Sequence, residues 1–210
     1  MKESRSLMKE LNKTLIFDLD GTLLDSSYSV SKSLKLSFEK NCPEHLDKIK
    51  LIKIGPRVPD ILKDLIPKKL IPTVTKDFRY FYDSAGFKET KLYPNVKETL
   101  LDLKSIYNLQ VVTNKPKNTS ISILSNLSIV SLFSQIYSTH GDKYISKSDV
   151  VKKIINNEDY FCFVGDSLED YQSAIDNDID FLYCNYGYGE VLDRNVKKID
   201  FFKDLPLFIK

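Results

Sequence analysis

The sequence predicts an α/β fold, in which a doubly wound parallel sheet carries a small all-helical cap inserted after the first strand. Three observations support this prediction. Short apolar runs recur along the chain, stretches with helical period separate them, and the gap between the first two runs is too long for one crossover. Strands that alternate with helices typically form a parallel sheet covered on both faces.

Short apolar runs predict the strands, because a strand buried on both faces carries few polar residues. They are residues 14–19, 109–113, 160–164 and 179–183, with a weaker candidate at 135–138. Apolar residues at helical spacing lie between them: Ile121, Leu124 and Leu127, then Val150, Val151, Ile154 and Ile155. The alternation indicates helices that cover the sheet.

Residues 26–88 carry several helical patterns of their own. Apolar side chains recur every four residues at Val30, Leu34 and Phe38. A broader stripe follows at Val74, Phe78, Phe81, Tyr82 and Ala85. These residues suffice for a small separate core, so we predict a cap at 26–88 and a main core domain at 14–25 and 89–210. The alternative is that these helices only extend the main core.

Composition narrows the class of protein. The chain has 210 residues, of which 42% are hydrophobic and 29% charged, as in ordinary soluble globular proteins. The net charge is +2 and no arginine cluster occurs, so no nucleic-acid partner is expected. No apolar run approaches the ~18 residues of a membrane span. The expected state is a monomer or a homodimer.

The three cysteines indicate the compartment. Cys42, Cys162 and Cys184 are odd in number and lack metal-type spacing, which argues against a disulfide framework or a zinc site. The charged N-terminal residues 1–13 do not resemble a signal peptide. A reducing cytoplasm is therefore the expected location.

The segment 18–26, with the sequence DLDGTLLDS, begins at the end of the first predicted strand. Side chains alternate along a strand, so Asp18 and Asp20 are expected on the same side. Two carboxylates this close are costly unless a cation lies between them. Ligands in such sheets bind beyond the carboxyl ends of the strands, which is where both acids lie. A simple turn explains one aspartate and Gly21 but not the rest.

Two further polar segments follow other predicted strands. Thr113 and Asn114 offer a hydroxyl and a backbone N–H that suit phosphate oxygens, although such a pair is more often a turn or a helix cap. Asp166 and Asp170 follow the run at 160–164, one helical turn apart. Mg²⁺ prefers a few carboxylates with water and phosphate oxygens. The alternative for these two acids is a capped helix start.

These motifs resemble, in order, the signatures of the haloacid dehalogenase superfamily, and segment 18–26 is similar to that of phosphoglycolate phosphatases. The resemblance implies a HAD-like core and a phosphatase that uses Mg²⁺. It implies Asp18 as the nucleophile and Asp20 as general acid and base. Asp18, Asp166 and the Asp20 carbonyl are the expected metal ligands. Asp170 is expected to complete the metal site, either through water or by orienting Asp166.

The resemblance also implies an active-site lysine after the third strand, where Lys143 and Lys147 compete. We favour Lys147, because Gly141 and Asp142 resemble the family's lead-in and Ser148 with Asp149 can start a helix. A surface lysine is the plain alternative in this lysine-rich chain.

The expected substrate is a small phosphorylated metabolite, similar to phosphoglycolate or a sugar phosphate. Arg57, in the predicted cap, is the candidate to pair with a carboxylate or second phosphate of that substrate, or it is a plain surface arginine. A phosphomutase resembling β-phosphoglucomutase is the alternative enzyme. A phospho-accepting receiver domain or an inactive binding module is the non-enzymatic alternative.

Overall fold

A computed structural model describes residues 13–140, 144–155 and 161–209. Its strands are β1 Thr14–Phe17, β2 Leu24–Asp25, β3 Lys91–Leu92, β4 Asn108–Thr113, β5 Gln135–Ser138, β6 Phe161–Gly165, β7 Asp180–Cys184 and β8 Lys198–Ile199. The α-helices are α1 Ser27–Asn41, α2 Val58–Leu62, α3 Ile71–Ser84, α4 Val96–Leu103, α5 Lys117–Asn126, α6 Lys147–Ile154 and α7 Leu168–Ile175. Short 3-10 segments are Pro43–Leu51, Lys68–Leu70, Gly86–Glu89, Val130–Leu132 and Phe202–Leu207.

Within the described residues, the central sheet has six strands in the order β5-β4-β1-β6-β7-β8. Every neighbouring pair is parallel. Phe17 at the end of β1 is in register with Val111 of β4 on one side and with Val164 of β6 on the other. The chain winds outwards in both directions from β1, so the crevice at its carboxyl end is the expected ligand site. The predicted fold class is confirmed.

All five predicted strands are present among the described residues, with bounds that differ from the prediction by at most two residues. The first ends at Phe17, two residues earlier than predicted, and Tyr160 lies outside the described residues. The three two-residue strands β2, β3 and β8 were not predicted. Helix α6 begins at Lys147 and is capped by Ser146, whose hydroxyl accepts from the Asp149 N–H. The predicted start at Ser148 was therefore wrong, because the cap lies two residues earlier.

Apolar side chains cover the sheet on both faces, which explains the unbroken apolar strands. Ile16, Val112 and Phe163 pack with residues of α6 and α7 on one face. Leu15, Phe17 and their neighbours face the opposite side. Within the described ranges, no helix is long and apolar enough to cross a membrane.

Helices α1, α2 and α3 lie in residues 26–88, as predicted for the cap. The chain leaves the core through β2 and returns through β3, and these strands pair antiparallel, with Asp25 opposite Lys91. The two connections are therefore adjacent. Leu34 and Phe78 of the helices belong to the same buried cluster as Phe17 of the sheet. The division of the chain into cap and core stays a prediction.

Candidate functional site

Three strands deliver polar residues to one edge of the sheet. Asp18 directly follows β1, Thr113 ends β4, and Asp166 directly follows β6. Since β1 lies between β4 and β6, the parallel register brings the three ends together. The convergence expected from the sequence is thus present in the structure.

Three buried carboxylates form the centre of the site. Asp18, Asp166 and Asp170 each place one carboxylate oxygen within 4.8 Å of the others. Their exposed fractions are 4%, 2% and 0%. Such a set of oxygens is the donor type that Mg²⁺ prefers in proteins.

Lys147 lies inside this acidic cluster. Its ammonium nitrogen is 2.8 Å from Asp18 Oδ1 and 2.6 Å from Asp170 Oδ1. The side chain is almost fully buried at the first turn of α6. The geometry places the favoured lysine against the predicted nucleophile, whereas Lys143 lies outside the described residues.

Burial sets the electrostatics of the cluster. It raises the pKa of Asp18, and the Lys147 ammonium group opposes that shift. Burial, together with the Asp170 carboxylate, raises the pKa of Asp166 to about 6. Burial alone would lower the pKa of Lys147, but Asp170 and Asp18 raise it above its ordinary value, so the ammonium stays charged. Three carboxylates around one ammonium leave an excess of negative charge, which fits a divalent cation.

Asp170 is held at both of its oxygens. Oδ2 accepts from the Ser167 N–H at 3.1 Å and from the Ser167 hydroxyl at 2.6 Å, which completes a capping box at the start of α7. Oδ1 accepts from Lys147 at 2.6 Å. Asp170 therefore caps the start of α7 and also orients Lys147. The two interpretations of the sequence, a helix cap and a site residue, are compatible. Its role at the metal stays a prediction.

Asp20 has partners of its own. Its Oδ2 lies 3.1 Å from the Lys115 ammonium, and its Oδ1 accepts from the Ser26 hydroxyl at 2.5 Å. A different lysine therefore contacts each of the two carboxylates, Lys147 at Asp18 and Lys115 at Asp20, and the expected cation between them stays a prediction. The reason for the separate contacts is local: β1 ends at Phe17, and the chain then turns back on the Leu19 carbonyl. Strand alternation does not extend to Asp20.

Lys115 was missed in the sequence. It is 8% exposed and also donates to the Tyr82 hydroxyl at 3.2 Å. Burial would lower its pKa, but Asp20 and Tyr82 raise it above the ordinary value. The available signal was its position directly after Thr113 and Asn114 at a strand end.

The loop 185–189 also contributes to the site, which the sequence did not indicate. The backbone N–H groups of Tyr188 and Gly189 donate to Asp166 Oδ2 at 2.7 and 3.0 Å. The loop comes this close to Asp166 only because residue 187 is a glycine, since a Cβ at Gly187 would lie 2.2 Å from the Asp166 Cβ. The loop therefore fixes the orientation of Asp166.

Thr113 and Asn114 make internal hydrogen bonds. The Thr113 hydroxyl accepts from the Lys115 N–H at 3.1 Å and is buried. The Asn114 side chain donates to Glu169 at 2.7 Å and accepts from Thr139 at 2.9 Å. Asn114 also lines the cavity beside Asp18. Their contact with phosphate stays a prediction.

Arg57 precedes α2 and forms a salt bridge with Asp60 at 2.7 Å. Its guanidinium group also lies 3.8 Å above the centre of the Tyr144 ring. The carboxylate that it contacts in this structure is therefore the protein's own. Its role in substrate binding stays a prediction.

A cavity of about 700 Å³ opens above the acidic cluster. Asp18, Lys147 and Asp166 lie on one side of it, and residues 52–56 of the helical region lie on another. This volume accommodates a small metabolite.

Comparison with known proteins shows which family this chain belongs to. The model of the haloacid dehalogenase-like hydrolases matches residues 15–184. The phosphoglycolate phosphatase of Haemophilus influenzae strain 86-028NP is 32% identical over 195 residues, covering 84% of this chain and 87% of that protein. The phosphoglycolate phosphatase of Aquifex aeolicus is 33% identical over 173 residues, covering 77% and 79%.

Solved structures are similar as well. A haloacid dehalogenase-like hydrolase from Streptococcus pneumoniae superposes with a TM-score of 0.80 at 23% identity, covering 95% of this chain and 99% of that one. At this identity the likeness concerns the fold alone. A protein called a predicted phosphoglycolate phosphatase from Haemophilus somnus superposes with a TM-score of 0.78 at 25% identity, covering 97% and 100%.

Proposed function

This chain belongs to the haloacid dehalogenase-like hydrolases and is a phosphatase, and we propose that it hydrolyses a small phosphorylated metabolite with Mg²⁺ through an aspartyl-phosphate intermediate. One observation carries the proposal: Asp18, Asp166 and Lys147, distant in sequence, meet at the carboxyl edge of the sheet beside a cavity. Asp18 is the proposed nucleophile. Asp166 would help to hold Mg²⁺ beside it, and Lys147 would reduce the repulsion between Asp18 and the phosphoryl group.

In the first step, an Asp18 oxygen attacks phosphorus and the bond from phosphorus to the leaving oxygen breaks. The leaving oxygen takes a proton from the Asp20 carboxyl group. The Lys147 ammonium, 2.8 Å from Asp18, reduces the repulsion between the carboxylate and the anionic phosphoryl group.

In the second step, the Asp20 carboxylate takes a proton from water as the water oxygen attacks phosphorus. The bond between phosphorus and the Asp18 oxygen breaks, so inorganic phosphate leaves and the Asp18 carboxylate is restored. Asp20 must therefore reach the reacting atoms in both steps. In the structure the Asp20 carboxylate contacts the Lys115 ammonium and the Ser26 hydroxyl.

Asp18, Asp166 and the backbone carbonyl of Asp20 would hold Mg²⁺, and Asp170 would keep Lys147 and the helix start in place. When bound, the ion supplies positive charge to the phosphoryl oxygens. The excess of negative charge among the three buried carboxylates supports this assignment.

Phosphoglycolate is the first substrate to test, because the curated relatives reported above are named phosphoglycolate phosphatases. The proposed cap, residues 26–88, borders the cavity through residues 52–56 and would help select the substrate. Arg57 belongs to this region and is the proposed contact for a second anionic group. A cytoplasmic location is part of the same proposal, since the cysteine pattern suits a reducing compartment.

A phosphate-release screen over phosphorylated metabolites, with and without Mg²⁺, tests the function. Asp18→Asn keeps the size of the side chain but removes the nucleophile, so release should fall by about 10³-fold or more. Asp102→Asn, on the exposed side of α4, is the matched control and should match the unaltered protein.

Activity that survives Asp18→Asn would remove Asp18 from the nucleophile role. Isomerisation of a sugar phosphate without phosphate release would indicate a phosphomutase instead. Acid-quenched protein that carries one labelled phosphoryl group per chain, absent in Asp18→Asn, would establish the covalent intermediate.

A further inference from the structure

Lys115 is a buried cation that the proposed chemistry leaves without a role. Its ammonium nitrogen lies 3.1 Å from Asp20 Oδ2. It is not part of the acidic cluster, which holds Lys147. A buried ammonium needs compensating partners, so its placement beside Asp20 calls for an explanation.

The backbone of Lys115 is fixed at the end of β4. The Lys115 N–H donates to the Thr113 hydroxyl at 3.1 Å, and the Thr113 side chain is 1% exposed. The side chain therefore starts from a rigid point of the sheet and reaches Asp20 across the crevice between β4 and β1.

The other end of Lys115 is held by α3. Its ammonium donates to the Tyr82 hydroxyl at 3.2 Å and lies 4.8 Å from the centre of the Tyr82 ring. Tyr82 is fully buried, so this hydroxyl has one fixed position. The helix thus determines where the ammonium lies.

Asp20 is connected to the same helix by a second route. The Tyr82 hydroxyl is 3.3 Å from the Thr90 hydroxyl, which is 2.8 Å from the Ser29 hydroxyl. Ser29 donates to the Ser26 carbonyl at 3.0 Å, and the Ser26 hydroxyl donates to Asp20 Oδ1. The contacts close into a ring in which, among the described residues, Lys115 is the partner of Asp20 Oδ2 and Ser26 is the partner of Oδ1.

We infer that Lys115, anchored by Tyr82, is a positioning residue that holds the Asp20 carboxylate in the orientation in which it accepts the proton of the attacking water. The inference rests on the proposed function, since it concerns the second step of that reaction. A carboxylate with one partner on each oxygen has little freedom to rotate, and a general base acts only within hydrogen-bond reach.

The two steps can be measured separately with p-nitrophenyl phosphate. Its leaving group departs readily without a proton, so the first step depends little on Asp20, whereas hydrolysis of the phosphorylated enzyme needs it. Rapid mixing records a burst of nitrophenolate for the first step and a steady rate for the second.

Lys115→Met removes the charge and retains the length of the side chain. We expect a burst rate constant within about threefold of the unaltered protein and a steady rate, divided by the burst amplitude, at least about tenfold lower. Tyr82→Phe removes one hydroxyl and should change the steady rate in the same direction by a smaller factor. Lys117→Met, the same change at an exposed lysine two residues away, should alter neither.

The burst amplitude counts folded active sites, so partial unfolding lowers the amplitude and not the rate constants. If Lys115→Met does not fold, Tyr82→Phe decides. Equal losses in both steps, as for a lysine that binds phosphate directly, would overturn the inference, and so would unchanged rates. An unaltered protein that never becomes phosphorylated would refute the proposed function itself, and the role of Lys115 would fall with it.

Discussion

Asp166 shows how one side chain joins distant parts of the chain. It follows β6, yet its Oδ2 is held by two backbone N–H groups of the loop 185–189. The Thr22 hydroxyl donates to Oδ1 at 3.4 Å from the segment after β1. These donors fix the carboxylate against Asp18, with which it would share a cation. Orientation of a ligand by its neighbours is a common determinant of metal affinity.

Asp166→Asn is expected to weaken the response to Mg²⁺. The amide keeps the volume of the side chain but lacks the negative charge, so the Mg²⁺ concentration for half-maximal activity should rise by about 10- to 100-fold or more. Titration of phosphate release with Mg²⁺ measures this. Asp176→Asn, at an exposed position after α7, should leave the titration unchanged. An unaltered midpoint in Asp166→Asn would contradict the ligand role.

At the scale of elements, the sequence predicted the strands that are buried on both faces of the sheet. Strands β1, β4 and β6 lie between two apolar layers, so their apolar runs were visible. The acids after two of these strands could be expected to converge, because parallel strands end at one edge. The two-residue strands β2 and β3 have no periodicity, and only tertiary contacts pair them.

Other parts of the site carried little or no sequence signal. The donors to Asp166 from the loop 185–189 are backbone groups, which nearly every residue possesses. Lys115 is one of many lysines, and only the structure shows that it is buried beside Asp20. Tyr82 was correctly placed on an apolar stripe, but that pattern could not reveal where its hydroxyl points.

The turn after β1 leads to a prediction about Gly21. Its φ is 90°, and a Cβ there would lie 2.1 Å from Asp166 Oδ2. Gly55 has a φ of 113°, but a Cβ there would meet nothing within 4 Å. Alanine at either position carries a backbone strain of about 1–2 kcal/mol. Only Gly21→Ala also displaces a site carboxylate.

Gly21→Ala should therefore lower the unfolding temperature more than Gly55→Ala does, and it alone should raise the Mg²⁺ concentration needed for activity. Thermal unfolding and the same Mg²⁺ titration measure the two effects. Equal unfolding temperatures and equal Mg²⁺ midpoints in the two variants would show that the chain after β1 can move away from Asp166 without loss of stability or of metal binding.

At the scale of the whole molecule, one buried cluster joins the sheet to the helical region. Phe38 and Phe78, from α1 and α3, belong to the same cluster as Phe17 of β1. The predicted cap would therefore not need a separate core to be stable, although its two connections through β2 and β3 lie side by side. This arrangement predicts that the two parts unfold together.

Phe78→Ala tests that cooperativity. The side chain is 2% exposed, so its truncation should cost about 3–5 kcal/mol. If the cluster is one cooperative unit, the helical region and the sheet unfold in a single transition. The transition temperature measured by far-ultraviolet circular dichroism and the temperature at which phosphatase activity is lost should then fall by the same amount. Phe201→Ala, at a ring that is 61% exposed, should change the stability by less than about 0.5 kcal/mol. Two separate transitions in Phe78→Ala, with the sheet melting unchanged, would instead show that residues 26–88 form an independently folding cap.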